Sequence, residues 1–349
     1  MSFDPPFCPD RSCPNHLKPQ RFFYKRTGYY KPQCRTVPVP RFKCKTCNRG
    51  FSRQTFRADY GHRRPEINVA MLEMIVSGTG LRQIARMLKI GSRSIQGRLR
   101  RFGTLHTKLH DRLCPALPAG RTFVFDEEET YEGASIRPLT VPLVVDQETW
   151  FVVSTAVGTI RRRARQGSKR REKQDREEKE RGVRRDQSAQ CVRQMLEALQ
   201  RRVPKGSLEL LSDEKPSYQK IVKELFGERA THVTISGEAP RTPSNPLHPI
   251  NTTIAMTRDN CGRLRRDSWL VSKRAKDLRH QLALYVVYRN YVRQRFNHDA
   301  RHESPATLLG LLPRALTVEE TLRWRQDLGP LSVHPMSVNG EAVDLAAVA

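Results

Sequence analysis

The chain has 349 residues, 63 lysines and arginines against 36 acidic residues, a formal charge of +27, and 37% apolar residues. That apolar share supports at least one real core, which excludes a disordered basic tail, and no apolar run approaches the roughly 20 residues of a membrane-spanning helix. The start MSFDPPFCPD lacks a basic-then-apolar leader pattern, so the expectation is a soluble, intracellular protein whose partner is a polyanion, nucleic acid before membrane.

Residues 1–60 hold the first element. Five of the eight cysteines lie before residue 50, clustering that suits a metal site better than a disulfide framework. Cys8 and Cys13 form CPDRSC, and Cys44 and Cys47 form CKTC about thirty residues later, with FFYKRTGYYK between the pairs. Two short cysteine turns joined by strands supply the two edges of a thiolate tetrahedron, so a structural zinc ribbon is predicted. Cys34 is an alternative to Cys13, whereas Cys114, Cys191 and Cys261 stand alone and read as ordinary thiols.

Residues 61–110 read as a helix-turn-helix. Ile67, Met71, Met74, Ile75, Leu81, Ile84, Ala85 and Leu88 recur at helical spacing, and LRQIARML stops at KIG. SRSIQGRLRRF then sets Ile95, Leu99 and Phe102 on one face. Arg93, Gln96, Arg98, Arg100 and Arg101 occupy the other faces, the composition of a recognition helix for the DNA major groove. Two amphipathic helices of an ordinary bundle would look much the same.

From 118 to 300 the pattern changes. RTFVFDEEETYEG, LTVPLVVDQET and WFVVSTAVGTI read as three strands. A charged insertion over about 161–186 follows, a solvated helix or a disordered stretch, then helix CVRQMLEALQRR, strand SLELLSD, helix PSYQKIVKELFG and strand THVTIS. The order predicts an α+β, RNase H-like domain with a mixed five-stranded sheet. In that topology the strands ending in Asp126 and Asp213 are neighbours, so their carboxylates can converge on divalent cations of the kind that drive in-line attack on a phosphodiester. Aspartate also ends strands for purely structural reasons, and FDEEET read alone is equally a solvated acidic edge.

Further on, Arg263, Arg265, Arg266, Lys273, Arg274 and Lys276, then Arg279, Arg289, Arg293 and Arg295, are expected to neutralise phosphates. LALYVVYRNYVRQRF reads as a core helix. A C-terminal extension over 301–349 has no assigned role.

Taken together, RFKCKTCNRGFSRQTFRADY, SGTGLRQIARML, FDEEETYE, LLSDEKPSY, NPLHPINTTIAMTRDNCGRLRR and SKRAKDLRHQLALYVVYRNYVRQRFN resemble bacterial insertion-sequence transposases of the DDE superfamily, the zinc-ribbon and helix-turn-helix kind. The resemblance runs from about Cys8 to Gly329 and rests on the order of the blocks. It implies cleavage and strand transfer dependent on magnesium or manganese, at the terminal repeats of an element and in target double-stranded DNA. It also implies a homo-oligomer that brings two ends together on the nucleoid of the bacterial cytoplasm. Asp126 matches the family's first acid and Asp213 its second. The family's glutamate, with an asparagine three residues later at the head of a helix, is matched here by His248 and Asn251. Glu238, in the loop SGEAPRTPSNP, is a second candidate for the third ligand. Two rival readings stand beside the transposase: a catalytically inactive, transposase-derived DNA-binding protein, and a nuclease that cuts without joining.

Overall fold

The computed structural model describes residues 3–33, 36–240 and 242–324. The chain divides into two compact units, Met1–Met71 with Leu316–Ala349, and Leu72–Ala315. Cys34 and the end of the C-terminal extension lie outside the described residues. Among those residues no helix is long and apolar enough to cross a membrane.

The first unit opens with a short turn of helix, α1 (Pro14–Leu17), and an antiparallel sheet of β1 (Tyr24–Tyr30), β2 (Val39–Cys44) and β3 (Gly50–Ser52) in the order β1-β2-β3. The register places Phe42 opposite Phe51. Those rings join Phe7, Phe23 and Phe56 around the buried cysteines. A sheet this small buries little, and its core is the aromatic lining of the thiol cluster.

The unit boundary falls within α2 (Asn68–Val76). The second unit continues with α3 (Leu81–Met87) and α4 (Ser92–Leu113). Along α4, Ile95, Leu99, Phe102, Leu105, Leu109 and Leu113 are buried at helical spacing. At Gly103 a Cβ would come within 2.6 Å of the His280 Cβ, so glycine is what lets α4 lie close against a later helix, Ala275–Val287.

The main sheet is built from β4 (Thr122–Glu132), β5 (Ala134–Asp146), β6 (Val152–Thr155), β7 (Gly158–Thr159), then β8 (Leu208–Asp213) and β9 (Ala230–Ile235). Helices α5 (Lys169–Arg181) and α6 (Ser188–Arg202) precede β8, and α7 (Pro216–Phe226) joins β8 to β9. The strand order is β6-β5-β4-β8-β9, with β7 pairing β5 off that path. This is a mixed sheet of six strands rather than the expected five. The extra strand is the two-residue bridge at Gly158 and Thr159, opposite Thr140 and Leu139, too short to leave an alternating pattern in sequence.

Strands β4 and β5 pair antiparallel, whereas β4–β8 and β8–β9 are parallel. Alternation along β4 divides its side chains between two faces. On one, Val124 joins Leu139, Val141, Leu143, Val145 and Leu211 under two helices, α8 (His248–Asn260) and α9 (Ala275–Val287). On the other, Phe125 packs on Tyr218 of α7 at 4.9 Å and stacks on His232 of β9 at 5.9 Å.

The charged insertion forms α5, capped by Ser168 and with no buried residue. Helix α9 runs into a π turn at Tyr288–Val292, and α10 (Pro305–Leu308) ends this unit. Arg289, expected on a phosphate-facing surface, is instead 0% exposed; it lies in the π turn, where Asn290 and Tyr291 are buried as well. A last helix, α11 (Val318–Arg323), carries a Thr317–Glu320 capping box in the first unit.

Candidate active site

Two clusters of metal-capable side chains stand out, one in each unit. In the first, the Sγ atoms of Cys8, Cys13, Cys44 and Cys47 all lie within 4.8 Å of one another. The Cys8–Cys47 separation is 3.5 Å and the Cys13–Cys44 separation 3.8 Å. Zinc–sulfur bonds of about 2.3 Å in a tetrahedron give edges of about 3.8 Å, so the donor set fits a zinc ion. The hairpin turn at Cys44–Asn48 is closed by Cys44 N–H to Arg49 O at 2.9 Å and Asn48 N–H to Cys44 O at 3.1 Å, with Asn48 in the left-handed region at φ 61°. Burial works against charge on Cys44, but the N–H groups of Cys47 and Thr46 outweigh it and bring the thiol down to about 7. Burial pushes the Cys8 thiol up. Four thiols crowded together with a donor-rich turn are prepared to be deprotonated by a cation.

In the second unit the geometry follows from the parallel register of β4 and β8, Thr122 with Glu209, Phe123 with Leu210 and Val124 with Leu211. Carried two residues further at the same offset, that register sets Asp126 level with Asp213, on strands about 4.8 Å apart. Val124 and Leu211, two residues before each aspartate, both belong to the core under α8 and α9. Both carboxylates therefore project from that face of the sheet.

Burial, with the neighbouring charges of Asp213, Glu127 and Glu128, pushes the Asp126 carboxyl up to about 7, against the pull of the Glu127 N–H, which donates to it at 2.7 Å. Asp213 Oδ1 accepts from the Lys215 N–H at 3.2 Å. Neither aspartate has an ion-pair partner among the described residues. In a chain with a surplus of 27 positive charges, two carboxylates on one sheet face without an ion-pair partner among the described residues are unusual, and burial beside like charge disfavours their ionisation.

Their neighbours are fully paired. Glu128, on the same face and 2% exposed, binds Arg258 of α8 at 3.1 Å and Arg266 at 3.6 Å. Glu127, on the opposite face, accepts from Tyr218 OH at 2.8 Å, Thr140 Oγ1 at 2.7 Å, Ser188 Oγ at 3.1 Å and the Lys215 ammonium. Burial alone would raise the Glu127 carboxyl, but Lys215, Thr140 and Tyr218 hold it below its usual value. Because Lys215 touches Asp213 through its backbone and Glu127 through its side chain, it ties the end of β8 to β4. Of these partners only Arg266 was singled out from sequence, and there as a phosphate contact, whereas its guanidinium lies 3.6 Å from Glu128. The period-two rule applied to FDEEET would have separated Glu127 from Asp126 and Glu128.

The third-ligand candidates sit apart. His248 is the first residue of α8, its ring edge-on to Trp150 at 5.6 Å and its Nε2 3.4 Å from Thr252 Oγ1. Asn251 is half-buried one turn on. Glu238 is exposed after β9, its N–H donating to Ser236 Oγ at 3.3 Å. Among the described residues, the four thiols are the one set of three or more His, Cys, Asp or Glu side chains with ligand atoms within 4.8 Å of one another. Neither His248 nor Glu238 joins the aspartates at that distance.

The five polar residues of α4 also separate. Arg93 alone is exposed, Gln96, Arg100 and Arg101 are half-buried, and Arg98 is 5% exposed. Gln96 donates to Asp277 Oδ2 at 2.9 Å and Arg100 to Oδ1 at 2.7 Å. Asp277 of α9 is itself 1% exposed, and Arg100 holds its carboxyl low against the opposing effect of burial. The middle of the expected recognition helix is thus committed to an internal ion-pair network, which helical periodicity cannot reveal because the partner lies 181 residues from Gln96.

No family model and no curated protein matches the chain. Among solved structures, it is similar to the simian T-cell lymphotropic virus intasome in complex with PP2A regulatory subunit B56 gamma, at 12% identity over 66% of this chain and 74% of that one, with a TM-score of 0.29. It is also similar to the Mos1 mariner paired end complex with Mn, at 13% identity over 62% of this chain and 74% of that one, with a TM-score of 0.24.

Proposed function

We propose that this chain is a DDE-type transposase of the bacterial insertion-sequence kind, which binds the double-stranded ends of an element and cuts and joins DNA. The observation that carries the reading is the pair Asp126 and Asp213, brought level by the register of adjacent parallel strands and without an ion-pair partner among the described residues. In this reading residues 1–60 are a zinc ribbon, 61–110 a helix-turn-helix, 118–300 an RNase H-like catalytic domain interrupted at about 161–186, and 301–349 an extension. The resemblance of the sequence blocks, in their order, supports that division.

Asp126 and Asp213 would hold magnesium or manganese, with His248 or Asn251 at the head of α8, or Glu238, as the third ligand. Bound there, such ions lower the charge barrier to in-line attack by water or a 3′-hydroxyl on phosphorus. The protein's own contribution is to keep two carboxylates together where the pairing of β4 with β8 ends. Glu127, Lys215 and Tyr218 brace the strand ends from the opposite face, and Arg258 and Arg266 neutralise Glu128 so that it does not compete for the cation. Arg93, with Arg265 and Lys273, would meet phosphates, and binding would weaken steeply with salt. Two ends held together call for an oligomer, working on nucleoid DNA in the cytoplasm.

Among the described residues no third His, Cys, Asp or Glu ligand atom lies within 4.8 Å of both aspartates, which favours a second reading, an inactive descendant that keeps only DNA binding. Incubation of a labelled element end and a target plasmid with manganese separates the two. Transposase activity predicts cleaved and joined products with the wild type, and a loss of about 100-fold or more with Asp126→Asn or Asp213→Asn. Cleavage without joining would identify a nuclease. No product from any variant would leave the DNA-binding reading.

A further inference from the structure

Trp269 is 94% exposed, the most exposed of the large apolar side chains among the described residues. An indole in water forgoes the burial of a side chain of about 150–250 Å². The segment around it is nevertheless anchored. Leu270 is seated against two glycines: a Cβ at Gly80 would come within 2.5 Å of its Cδ2, and one at Gly262 within 3.1 Å of its Cδ1. One side chain fastens the loop while its neighbour stands out from it.

Trp269 stands on a groove of about 700 Å³ whose lining includes Arg82, Arg93, Arg263, Lys273 and Arg274. Asp277 is the one acid in that lining, and it is already taken by Gln96, Arg100 and Arg274. Arg82, Arg93 and Lys273 have no hydrogen-bond or ion-pair partner among the described residues, and Arg263 Nε is buried without one. The groove thus offers unspent positive charge beside a bare aromatic face.

The loop is also tied to β4. Arg266, three residues before Trp269, donates to Glu129 O at 2.7 Å and pairs with Glu128, two residues beyond Asp126.

We propose that this groove binds an unpaired DNA strand, with Trp269 stacked on one of its bases and Arg82, Arg93 and Lys273 on its phosphates. A free base supplies a flat face for the indole and its backbone supplies the anion. Bases within a duplex already stack on one another and offer no free face. The inference deepens the reading of the protein as a DNA strand-transfer enzyme, since that chemistry leaves unpaired ends.

The test uses the full, zinc-loaded chain and two fluorescein-labelled probes, a 12-nucleotide oligothymidylate and a duplex carrying the element end, in binding titrations without magnesium or manganese. Trp269→Ala should weaken the single strand about 5- to 100-fold and leave the duplex within about twofold. Trp269→Phe should restore most of the loss. The oligothymidylate should quench the emission of the wild type and not that of Trp269→Ala. Unchanged single-strand binding by Trp269→Ala, or an equal loss on both probes, overturns the proposal. These readings need no cleavage, so failure of the nuclease chemistry leaves them intact, and failure here leaves cleavage by Asp126 and Asp213 standing.

Discussion

In the proposed reading the four thiols and the two aspartates both take a cation, yet they are built for different ends. Cys8, Cys13, Cys44 and Cys47 present four mutually close ligands walled in by phenylalanines, a closed site whose product is the fold itself. Asp126 and Asp213 would present two ligands where the pairing of β4 with β8 ends, on a sheet that is already held by Val124, Leu211 and the helices above them. A complete ligand set stabilises; an incomplete one keeps positions open for substrate. The lesson is that the number of ligands supplied by the protein, more than their charge, separates a structural metal site from a reactive one.

Stripping the metal should expose this difference most strongly. A chelator at neutral pH is expected to unfold the ribbon, whose folding depends on about 10 kcal/mol of zinc binding, and to leave the sheet of the second unit intact. Resolved ribbon amide signals surviving the chelator in an NMR spectrum would break the comparison.

The next effect concerns Asp126 alone. Its carboxyl is raised from 3.8 to about 7 in the fold, so in the metal-free protein the ionised form is carried at a cost. That cost is absent below about pH 4, where the group is protonated in folded and unfolded chains alike, grows as pH rises, and is complete above about 7. Asp126→Asn should therefore stabilise the metal-free second unit at pH 8, by on the order of 2–4 kcal/mol, and change little at pH 4. Thermal melts at the two pH values check this, and a destabilised variant at pH 8 would show that the carboxylate has a partner after all.

Glu127, one residue on, sharpens the contrast. It is satisfied by Lys215, Tyr218, Thr140 and Ser188, and its carboxyl is held low. Glu127→Ala should cost about 2–3 kcal/mol by orphaning the Tyr218 hydroxyl and the Lys215 ammonium, the opposite sign to Asp126→Asn in the same melts at pH 8. Similar effects of the two substitutions would erase the distinction between a braced carboxylate and an unpaired one.

How much of this could be read from sequence varies by element. The cysteine spacing carried the ribbon cluster, because CPDRSC and CKTC are local signals. The order of strands and helices carried the neighbourhood of β4 and β8, because consecutive elements leave few topologies. What escaped was nonlocal or short. The two-residue β7 is below any periodic pattern, and the π turn in which Arg289 is buried looks like continuing helix. The helical wheel of α4 put Ile95, Leu99 and Phe102 on the buried face, but it left Arg98 among the outward residues although that side chain is buried, and it could not tell that Asp277 would cover Gln96 and Arg100. The region in which the third ligand falls illustrates the same limit. His248 was chosen by its place at the head of a helix, whereas its neighbours Trp150 and Thr252 are set by how α8 lies on the sheet.

The central claim is that Asp126 and Asp213 together hold a divalent cation, and manganese binding followed by electron paramagnetic resonance at pH 8, with zinc already in the ribbon, tests it most directly. Wild-type protein should bind manganese at the sheet, and Asp126→Asn and Asp213→Asn should each weaken that binding at least tenfold while Glu127→Gln leaves it within about threefold. Equal manganese affinity in the wild type and both aspartate variants would contradict the account.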